Sequence, residues 1–269
     1  MNRLPLCVVG ALGRMGRRLI ALAPEHGFDV VGALVEPADP HVDQTLGSVL
    51  PDAGASADRV LTDQPALAMK GARVVVDFAL ASGLQARLDA AVHAGAAFVC
   101  GSTGLGSDEQ RALDGAAAHI PLLWAPNMST GVTLLLELVQ RAARALPDFD
   151  VEIHELHHQH KADAPSGTAM ALARAAASAR GQDDAALKPN RGPGARQPGE
   201  IGVVASRAGE IVGEHTVFLV GGAERLELVH RAHSRDVFAL GALRAARFLV
   251  DRPAGRFTMA DVLGSVPAA

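Results

Sequence analysis

The sequence predicts an α/β fold in which a doubly wound, mostly parallel sheet is followed by a second, α+β domain. Short apolar strand segments alternate with helical segments over the first 127 residues, the pattern of a parallel sheet connected by helices. The first strand leads directly into a glycine-rich turn. At 269 residues the chain is long enough for two domains or for one large α/β domain.

The first domain begins with a short apolar strand, the glycine turn and a helix that carries Leu19, Ile20 and Leu22. Acidic residues follow two of the later strands, Glu36 after the second and Asp77 after the third. We predict strands over residues 6–9, 30–35, 74–76, 97–100 and 122–124, and further helices over residues 84–93 and 108–118.

After Asn127 the alternation gives way to a long amphipathic helix over residues 132–145, so we place a domain boundary there. A strand over residues 151–156 and an alanine- and leucine-rich helix over residues 169–179 come next. Residues 188–202 contain three prolines and four glycines, which predicts a long exposed loop.

The rest of the chain is predicted to complete both domains. Strands over residues 203–205, 214–220 and 225–230 are expected to be antiparallel members of a second sheet, with Gly221-Gly222 as a turn. The last helix, over residues 237–250, is apolar on one side and is expected to pack on the first domain. The predicted domains are residues 1–127 plus 237–269, and residues 128–236.

Composition narrows the classes of partner. Hydrophobic residues make up 49% and charged residues 20% of the chain, and the net charge is -4 with no long basic stripe, which argues against nucleic acid or a membrane surface as the partner.

Cys7 and Cys100 lie in apolar strand-like runs and are predicted to be buried core residues rather than a disulfide or a catalytic pair. Three arginines between residues 14 and 18 interrupt the one segment that imitates a signal peptide, so we predict a cytoplasmic protein.

The glycine turn has the sequence Gly10-x-x-Gly13-x-x-Gly16. A dinucleotide turn needs one glycine for the bend, one for approach to the pyrophosphate and one for helix–strand packing. The first two glycines here are three apart instead of two, and a plain structural turn is the alternative. Glu36 favours a Rossmann-like dinucleotide-binding domain, because an acid 20 residues past Gly16 can accept hydrogen bonds from the adenine ribose.

Pro37, directly after Glu36, bears on the choice between NADH and NADPH. Proline cannot contact a 2'-phosphate as an arginine could, which favours NADH. Arg14 and Arg17 keep NADPH open as an alternative.

Two later loops are predicted to line the nicotinamide half of the crevice, because ligands of open α/β sheets bind beyond the carboxyl ends of the strands. Ordinary turns are the alternative for both. The residues predicted to contact the dinucleotide are Gly10, Ala11, Leu12, Gly13, Arg14, Met15, Glu36, Gly101, Ser102, Thr103, Ala125, Pro126, Asn127 and Met128.

Residues 152–168 concentrate four of the chain's eleven histidines and a lysine in front of a Pro-Ser-Gly-Thr turn. The predicted elements make this segment a strand-to-helix loop. Ser166, Gly167 and Thr168 fall at the start of the helix, where backbone N–H groups are unpaired and the helix dipole is positive. We therefore expect a carboxylate or phosphate site there, beside titrating side chains.

Three interpretations of this cluster compete. The possible ligands of a metal site are His154, Glu155, His157, His158 and His160. However, no His-Glu-x-x-His motif is present, and in a strand His157 would face away from the other three histidines, so no metal is predicted. A solvated polar loop is the second interpretation. Acid–base chemistry is favoured, because histidine titrates near neutrality and a lysine near an anion site can bind a carboxylate or deliver a proton. For His215 and His230 a structural role is favoured, with a position near the site as the alternative.

Three motifs carry a resemblance to a known family. They are Gly10-x-x-Gly13-Arg14-Met15-Gly16, Gly101-Ser102-Thr103-Gly104 and Glu155-x-His157-His158-x-x-Lys161-x-Asp163-x-Pro165-Ser166-Gly167-Thr168-Ala169. Together they resemble 4-hydroxy-tetrahydrodipicolinate reductase, also called dihydrodipicolinate reductase. The similarity continues to the final helix and spans essentially the whole chain, and the third motif is the specific one.

The resemblance implies a lysine-biosynthesis enzyme of the diaminopimelate route. Such an enzyme passes hydride from NADH or NADPH to 4-hydroxy-tetrahydrodipicolinate, a cyclic dicarboxylate, and gives tetrahydrodipicolinate with loss of water. The resemblance also implies a dinucleotide-binding domain completed by the C-terminal helix. The middle domain is then expected to bind substrate and to form a homotetramer through its sheet.

The resemblance assigns roles to the third motif. His157 is expected to be the acid/base and Lys161 the proton donor, while His158 contacts substrate and Gly167 and Thr168 hold a substrate carboxylate. Two positions depart from the family pattern. Pro37 stands where an arginine is frequent, and Ala79 stands where serine or threonine is usual, which removes one hydroxyl contact near the cofactor.

Overall fold

A computed structural model describes residues 3–264 of the chain. It divides into two compact units. Unit 1 comprises the chain up to Ser129 together with the segment from Asp236 onward, and unit 2 comprises Thr130–Arg235. The predicted fold class, a doubly wound parallel sheet with a second α+β domain, is confirmed.

The elements follow the chain in the order that the sequence patterns indicate. Along residues 3–264 the strands are β1 (Leu4–Val9), β2 (Phe28–Leu34), β3 (Leu61–Thr62), β4 (Val74–Asp77), β5 (Ala97–Cys100), β6 (Pro121–Trp124), β7 (Asp150–His157), β8 (Leu187–Pro189), β9 (Ile201–Arg207), β10 (Gly213–Val220), β11 (Arg225–Ala232) and β12 (Gly255–Phe257). The helices are α1 (Arg14–Leu22), α2 (Leu46–Val49), α3 (Pro65–Ala68), α4 (Leu84–Ala94), α5 (Ser107–Ala117), α6 (Thr130–Ala145), α7 (Gly167–Ala179), α8 (Asp236–Leu249) and α9 (Met259–Leu263).

Unit 1 is built on a parallel seven-stranded sheet in the order β12-β6-β5-β4-β1-β2-β3. Side chains of β1 alternate between its two faces, so Leu6 and Val8 pack with α1 and α8, whereas Cys7 and Val9 pack with α4 and α5. Because helices cover both faces, β4 and β5 are buried along their whole length. Helix α8, which follows unit 2 in the sequence, thus contributes to the core of unit 1.

The two cysteines are buried and free, as predicted from their apolar surroundings. Burial raises the pKa of Cys100 to about 11, which keeps this thiol protonated at neutral pH. Within residues 3–264, no helix has both the length and the apolar character needed to cross a membrane.

Unit 2 is built on a five-stranded mixed sheet in the order β11-β10-β7-β9-β8. β10 runs antiparallel to β7 and β11, whereas β9 runs parallel to β7 and β8. One face of the sheet packs against α6 and α7, with Ile153 and Val217 in the core. The opposite face carries the in-register residues Val204, His154 and Thr216, so β7 has a helix-covered face and an outer face.

Two expectations about unit 2 are corrected. The strand predicted at residues 203–205 is not antiparallel to its neighbours, because α7 crosses between β7 and β9 and a strand–helix–strand connection returns the chain in the parallel direction. The loop predicted over residues 188–202 is shorter, since β8 extends to Pro189 and β9 begins at Ile201. Proline is tolerated in β8 because this strand lies at the edge of the sheet.

The sequence patterns did not reveal the shortest elements. These are β3, β8, β12, α2, α3 and α9, which are two to five residues long. An element of this length shows too little of a hydrophobic period to be recognised, and its position is set by the tertiary packing around it.

Candidate active site

The loop between β1 and α1 forms the glycine turn. Gly10 has a left-handed backbone with a φ of 72°, which residues with a Cβ rarely adopt. A Cβ on Gly16 would lie 2.7 Å from the carbonyl oxygen of Ala11, so glycine allows α1 to approach the strand end. Gly13 is the N-cap of α1 without a side-chain cap, which leaves the first N–H groups of the helix for a ligand.

A cavity of about 370 Å³ opens beside the glycine turn. Gly10 lines it together with Glu36 and Pro37 after β2, and Asp63 after β3 adds a second carboxylate. Apolar side chains such as Leu80 form the remaining wall. A mostly apolar cavity with carboxylates that accept from hydroxyl groups fits the adenosine half of a dinucleotide.

A buried ion pair shapes the wall of this cavity. The carboxylate of Asp77 accepts from Arg87 Nε at 2.7 Å and from the backbone N–H of Ala79 at 2.8 Å. The other two guanidinium nitrogens of Arg87 donate to the carbonyl oxygens of Leu80 and Ser82, each at 2.7 Å. Burial raises the pKa of Asp77, and the charge of Arg87 opposes that shift. Arg87 therefore holds the loop after β4, and each of its three nitrogens has a protein acceptor.

The predicted loop after β5 contacts the same segment. Ser102 Oγ donates to the carbonyl oxygen of Ala79 at 2.7 Å. A Cβ on Gly10 would lie 3.4 Å from the backbone nitrogen of Ala79, and one on Gly101 would lie 2.6 Å from Cδ1 of Phe78. Ala79 therefore joins the glycine turn to the loop after β5, and these two predicted cofactor segments lie together.

The predicted cofactor residues differ in exposure. Ala11, Gly101, Ser102, Ala125 and Met128 are buried, Leu12, Met15 and Asn127 are half-buried, and Gly13, Arg14, Glu36, Thr103 and Pro126 are exposed. Asn127 Oδ1 accepts from the backbone N–H of Ser129 at 2.9 Å, which shapes the turn after β6. The buried members shape these loops, and the exposed members offer groups to a ligand.

The acid–base candidates gather at the end of β7 in unit 2. Glu155 and His157 are two residues apart on the strand and therefore project to the same, helix-covered face. His157 Nδ1 is hydrogen-bonded to Glu155 Oε2. β7 ends at His157, so His158 and His160 lie beyond the strand, and the expectation that they share a strand face with His154 is wrong.

The carboxylate of Glu155 is fully buried and receives several donors. Arg207 at the end of β9 approaches it with two nitrogens, at 2.9 and 3.0 Å, and the backbone N–H of Ser166 donates at 2.9 Å. Burial alone would raise the pKa of Glu155, but the hydrogen bonds from Arg207, His157 and Ser166 lower it below its ordinary value. Glu155 is therefore ionised at neutral pH.

His157 and His215 form a second contact at this position. Their ring centroids are 5.3 Å apart in an edge-to-face arrangement. Burial lowers the pKa of His157, Glu155 opposes that shift, and the charges of Lys161 and Arg207 add to it. Burial also lowers the pKa of His215, to about 4, so this imidazole is neutral at pH 7.

Lys161 lies in the loop that follows β7. Its Nζ is 2.6 Å from Asp163 Oδ1, and 22% of its side chain is exposed. The hydrogen bond from Lys161 lowers the pKa of Asp163. Arg207 Nε donates to the carbonyl oxygen of Lys161 at 3.2 Å, so the backbone of this loop is tied to the end of β9.

The predicted anion site lies at the start of α7. Ser166 is the N-cap, and its side chain accepts from the backbone N–H of Ala169 at 3.2 Å. Gly167 and Thr168 are the first two residues of this 13-residue helix, and a Cβ on Gly167 would meet no atom within 4 Å. Glu155 holds the N–H of Ser166, so the helix start is fixed next to His157 and remains open at Gly167.

The other three histidines of residues 152–168 lie in three different surroundings. His158 Nε2 lies 3.1 Å from Arg235 Nη2, whereas His154 packs edge-to-face with Phe218 on the outer face of the sheet. His160 is exposed. In the part of the chain that the structure describes, no group of three or more histidines, cysteines and acids is arranged to hold a metal ion.

Sequence reasoning missed Arg207, and for His215 it favoured a structural role over a position near the site. Arg207 pairs in register with His157 across β7 and β9, and His215 pairs with Glu155 across β7 and β10. The one signal in the sequence is a charged residue at the end of a strand, and this signal has no meaning until the strand pairing is known.

Two family models match the chain. The model for the N-terminus of dihydrodipicolinate reductase covers residues 4–128, and the model for its C-terminus covers residues 131–263. The chain belongs to the dihydrodipicolinate reductase family. The family predicted from the three sequence motifs is therefore confirmed, and so is the predicted enzyme class.

Relatives in the dihydrodipicolinate reductase family match nearly the full chain. The 4-hydroxy-tetrahydrodipicolinate reductase of Anaeromyxobacter sp. (strain Fw109-5) is 46% identical, with 96% of each chain covered. The enzyme of the same name from Alkalilimnicola ehrlichii is also 46% identical and covers 96% of this chain and 98% of its own.

Solved structures show the same fold at lower identity. The dipicolinate-bound dihydrodipicolinate reductase of Paenisporosarcina sp. TG-14 has a TM-score of 0.75 and 20% identity, and the match covers 96% of this chain and 98% of that one. The DAP dehydrogenase of C. glutamicum, solved in complex with DAP, has a TM-score of 0.57 and 14% identity, with 100% of this chain and 97% of that one covered.

Proposed function

We propose that this protein catalyses the NAD(P)H-dependent reduction of 4-hydroxy-tetrahydrodipicolinate to tetrahydrodipicolinate, with loss of water, in the diaminopimelate route of lysine biosynthesis. The predicted reaction is confirmed at the level of the family, because the near-full-length relatives carry the name of this activity. The observation that carries the proposal is the arrangement at the end of β7. There His157 is hydrogen-bonded to the buried carboxylate of Glu155 and lies beside the N-terminus of α7, and the loop after it carries Lys161.

The residues of unit 2 bind and orient the substrate in this proposal. The N–H groups of Gly167 and Thr168 and the positive end of α7 attract a carboxylate. His158 contacts the substrate, and the guanidinium of Arg235 places a positive charge 3.1 Å from its ring. Two such regions suit a substrate with two carboxylates.

His157 and Lys161 handle the proton. Lys161 carries an ammonium group with three donors, and we assign it as the proton donor. His157 is assigned as the acid/base, because its pKa lies below the ordinary histidine value and its Nδ1 is already committed to Glu155. Proton transfer therefore uses Nε2.

The residues of unit 1 hold the dinucleotide. The N–H groups at the start of α1 and exposed Arg14 suit the pyrophosphate, and Glu36 suits the ribose hydroxyls. When bound, the reduced nicotinamide supplies the hydride. We propose a preference for NADH over NADPH, because Pro37 offers no donor, Asp63 adds negative charge, and Arg87 is already bonded to protein acceptors.

A coupled assay tests the proposed reaction. The unstable substrate is made in the cuvette from pyruvate and aspartate semialdehyde by the preceding synthase, and cofactor absorbance is followed with NADH and NADPH separately. Oxidation that depends on the synthase is expected with NADH in preference to NADPH. No oxidation with either cofactor would remove the proposed activity, and faster oxidation of NADPH would remove the proposed preference only.

We also propose the cellular form of the enzyme. Unit 1 binds the dinucleotide, unit 2 binds substrate and assembles a homotetramer through its sheet, and the protein works in the cytoplasm. The outer face of that sheet supports the assembly, because Val204 and Val229 are 40% and 42% exposed on it. Native mass spectrometry should give four times the chain mass of 27.8 kDa, and a monomer would contradict the proposed assembly.

A further inference from the structure

The carboxylate of Glu155 is the centre of the candidate active site, although sequence reasoning gave it no catalytic task. Each of its two oxygens accepts two hydrogen bonds. Oε1 accepts from Arg207 Nη2 and the Ser166 N–H, and Oε2 accepts from Arg207 Nη1 and His157 Nδ1. A buried charge needs such a full set of partners, and the loss of one partner leaves the others unpaired.

This arrangement fixes the tautomer of His157. An ionised carboxylate only accepts hydrogen bonds, so Nδ1 must carry the proton that it shares with Glu155. In the neutral ring Nε2 is then the unprotonated nitrogen, and it is the atom that gains and loses a proton. A Cβ on Gly213 would lie 3.0 Å from Nε2, so the glycine at the start of β10 keeps space around this nitrogen.

Arg207 extends the same connection to the loop that carries the lysine. Its Nε donates to the carbonyl oxygen of Lys161, and its Nη2 donates to the carbonyl oxygen of Asp163. One ion pair thus reaches the acid/base histidine, the backbone of the donor loop and the start of α7. Glu155 and Arg207 are diagonal neighbours across β7 and β9, a separation that the paired strands hold constant.

We propose that Glu155 and Arg207 are a positioning pair that holds His157 in its Nδ1-protonated form and keeps His157, the Lys161 loop and the N-terminus of α7 in their working arrangement. Neither residue is assigned contact with substrate or cofactor. The inference rests on the proposed function of His157, and it adds two residues to the machinery of that reaction.

The charges around His157 determine the direction in which its pKa should shift when Glu155 is replaced. The groups that face it are Glu155 on β7, Lys161 in the loop, Arg207 on β9, His215 on β10 and, behind His215, His230 on β11. Glu155 is the one anion among them. In Glu155→Gln, burial and the nearby cations act without this anion, so the pKa of His157 should fall further.

The test combines NMR with kinetics on the full-length enzyme. In ¹⁵N-histidine-labelled protein, the His157 signal, assigned by its loss in His157→Asn, should report the Nδ1–H tautomer. In Glu155→Gln the tautomers should mix, the pKa of His157 should fall, and turnover should drop about 10²-fold, by analogy with the upper range for carboxylate partners of metal-binding histidines. Asp184→Asn is the control, because Asp184 also pairs with an arginine of unit 2, Arg174, is exposed and lies outside the set of partners of Glu155, and it should change neither signal nor turnover.

Arg207→Lys provides a second variant that keeps the charge and loses the two-pronged contact. Turnover should fall about tenfold, within the range for loss of such a partner. If Glu155→Gln fails to fold, the tautomer of His157 in the wild type and the turnover of Arg207→Lys still test the inference. An Nε2–H tautomer in the wild type, or an unchanged His157 signal and turnover in the variants, would overturn the inference. Full turnover in His157→Ala would instead remove the proposed acid–base role of His157. The tautomer measurement tests separately whether Glu155 holds His157 in its Nδ1-protonated form.

Discussion

The glycine turn of unit 1 and the β7–α7 segment of unit 2 both lead from a strand to the N-terminus of a helix, yet they use different parts of the chain. The turn before α1 is short, has no side-chain cap and depends on glycine backbones. The loop before α7 is capped by Ser166 and carries ionisable side chains. In the proposed function, the same anion-binding geometry serves cofactor binding in one unit, and acid–base chemistry is added to it in the other.

The largest effect, a loss of turnover, is expected for the side chains of unit 2 to which acid–base roles are assigned. His157→Ala and Lys161→Ala should each lower turnover by about 10² to 10⁴-fold, the range for general acid–base groups. The dissociation constant for NADH, measured by fluorescence titration, should stay unchanged because the proposed dinucleotide site lies in unit 1. His160→Ala, in the same loop, is the control and should behave like the wild type. Wild-type turnover in either of the first two variants would break the comparison.

Acidification should also act on unit 2, through His215. Its pKa is lowered from 6.5 to about 4 in the folded protein, so the unfolded chain takes up the proton first as the pH falls. This contribution to the free energy of unfolding is constant above pH 6.5 and is lost between pH 6.5 and 4, by about 3 kcal/mol in total. Urea unfolding at several pH values and fixed protein concentration gives the free energy of unfolding as a function of pH. Below pH 6.5 this free energy should fall less steeply with pH in His215→Gln than in the wild type. Equal slopes would contradict the prediction.

The backbone dependence of the glycine turn predicts a smaller effect. Gly16→Ala places a Cβ 2.7 Å from the Ala11 carbonyl oxygen and should destabilise unit 1 by about 1–3 kcal/mol and weaken cofactor binding. Gly115→Ala is the matched control, because Gly115 is exposed in α5 and a Cβ there meets no atom within 4 Å. It should stabilise the protein by about 1 kcal/mol. Thermal unfolding and calorimetric titration with NADH distinguish the two, and unchanged binding in Gly16→Ala would contradict the assignment of the turn.

The smallest effect concerns cofactor choice. Pro37→Arg adds a donor beside the ribose site and should raise the ratio of kcat/KM for NADPH over NADH about tenfold, the worth of one charge-assisted hydrogen bond. Pro40→Arg adds the same charge three residues away and serves as the control. An equal change in both variants would mean that net charge, rather than position 37, sets the preference.

The two regions also differ in how far the sequence predicts them. Helices such as α6 and α8 run long enough to show their periodicity, and their predicted positions differ from the observed ones by one or two residues. The glycine turn and the β7–α7 motif are contiguous in sequence, so their residues could be recognised together. Arg207 lies 52 residues from Glu155 along the chain and joins the site through the pairing of β9 with β7. The sequence also suggested the wrong direction for β9, so that contact could not be predicted.

The alternation of β7 has a consequence for how this part of the chain can fold. Its odd-numbered side chains include Ile153, Glu155 and His157, and its even-numbered ones include Glu152 and His154 on the outer face. If the strand shifted by one residue against its neighbours so that Leu156 took the position of Glu155, the carboxylate diagonal to Arg207 would be lost, and the two faces would exchange. An apolar side chain there would leave the guanidinium of Arg207, whose side chain is 17% exposed, without its anion. The active-site ion pair therefore also selects the correct strand alignment, and the same residues that prepare the chemistry reject the misaligned sheet.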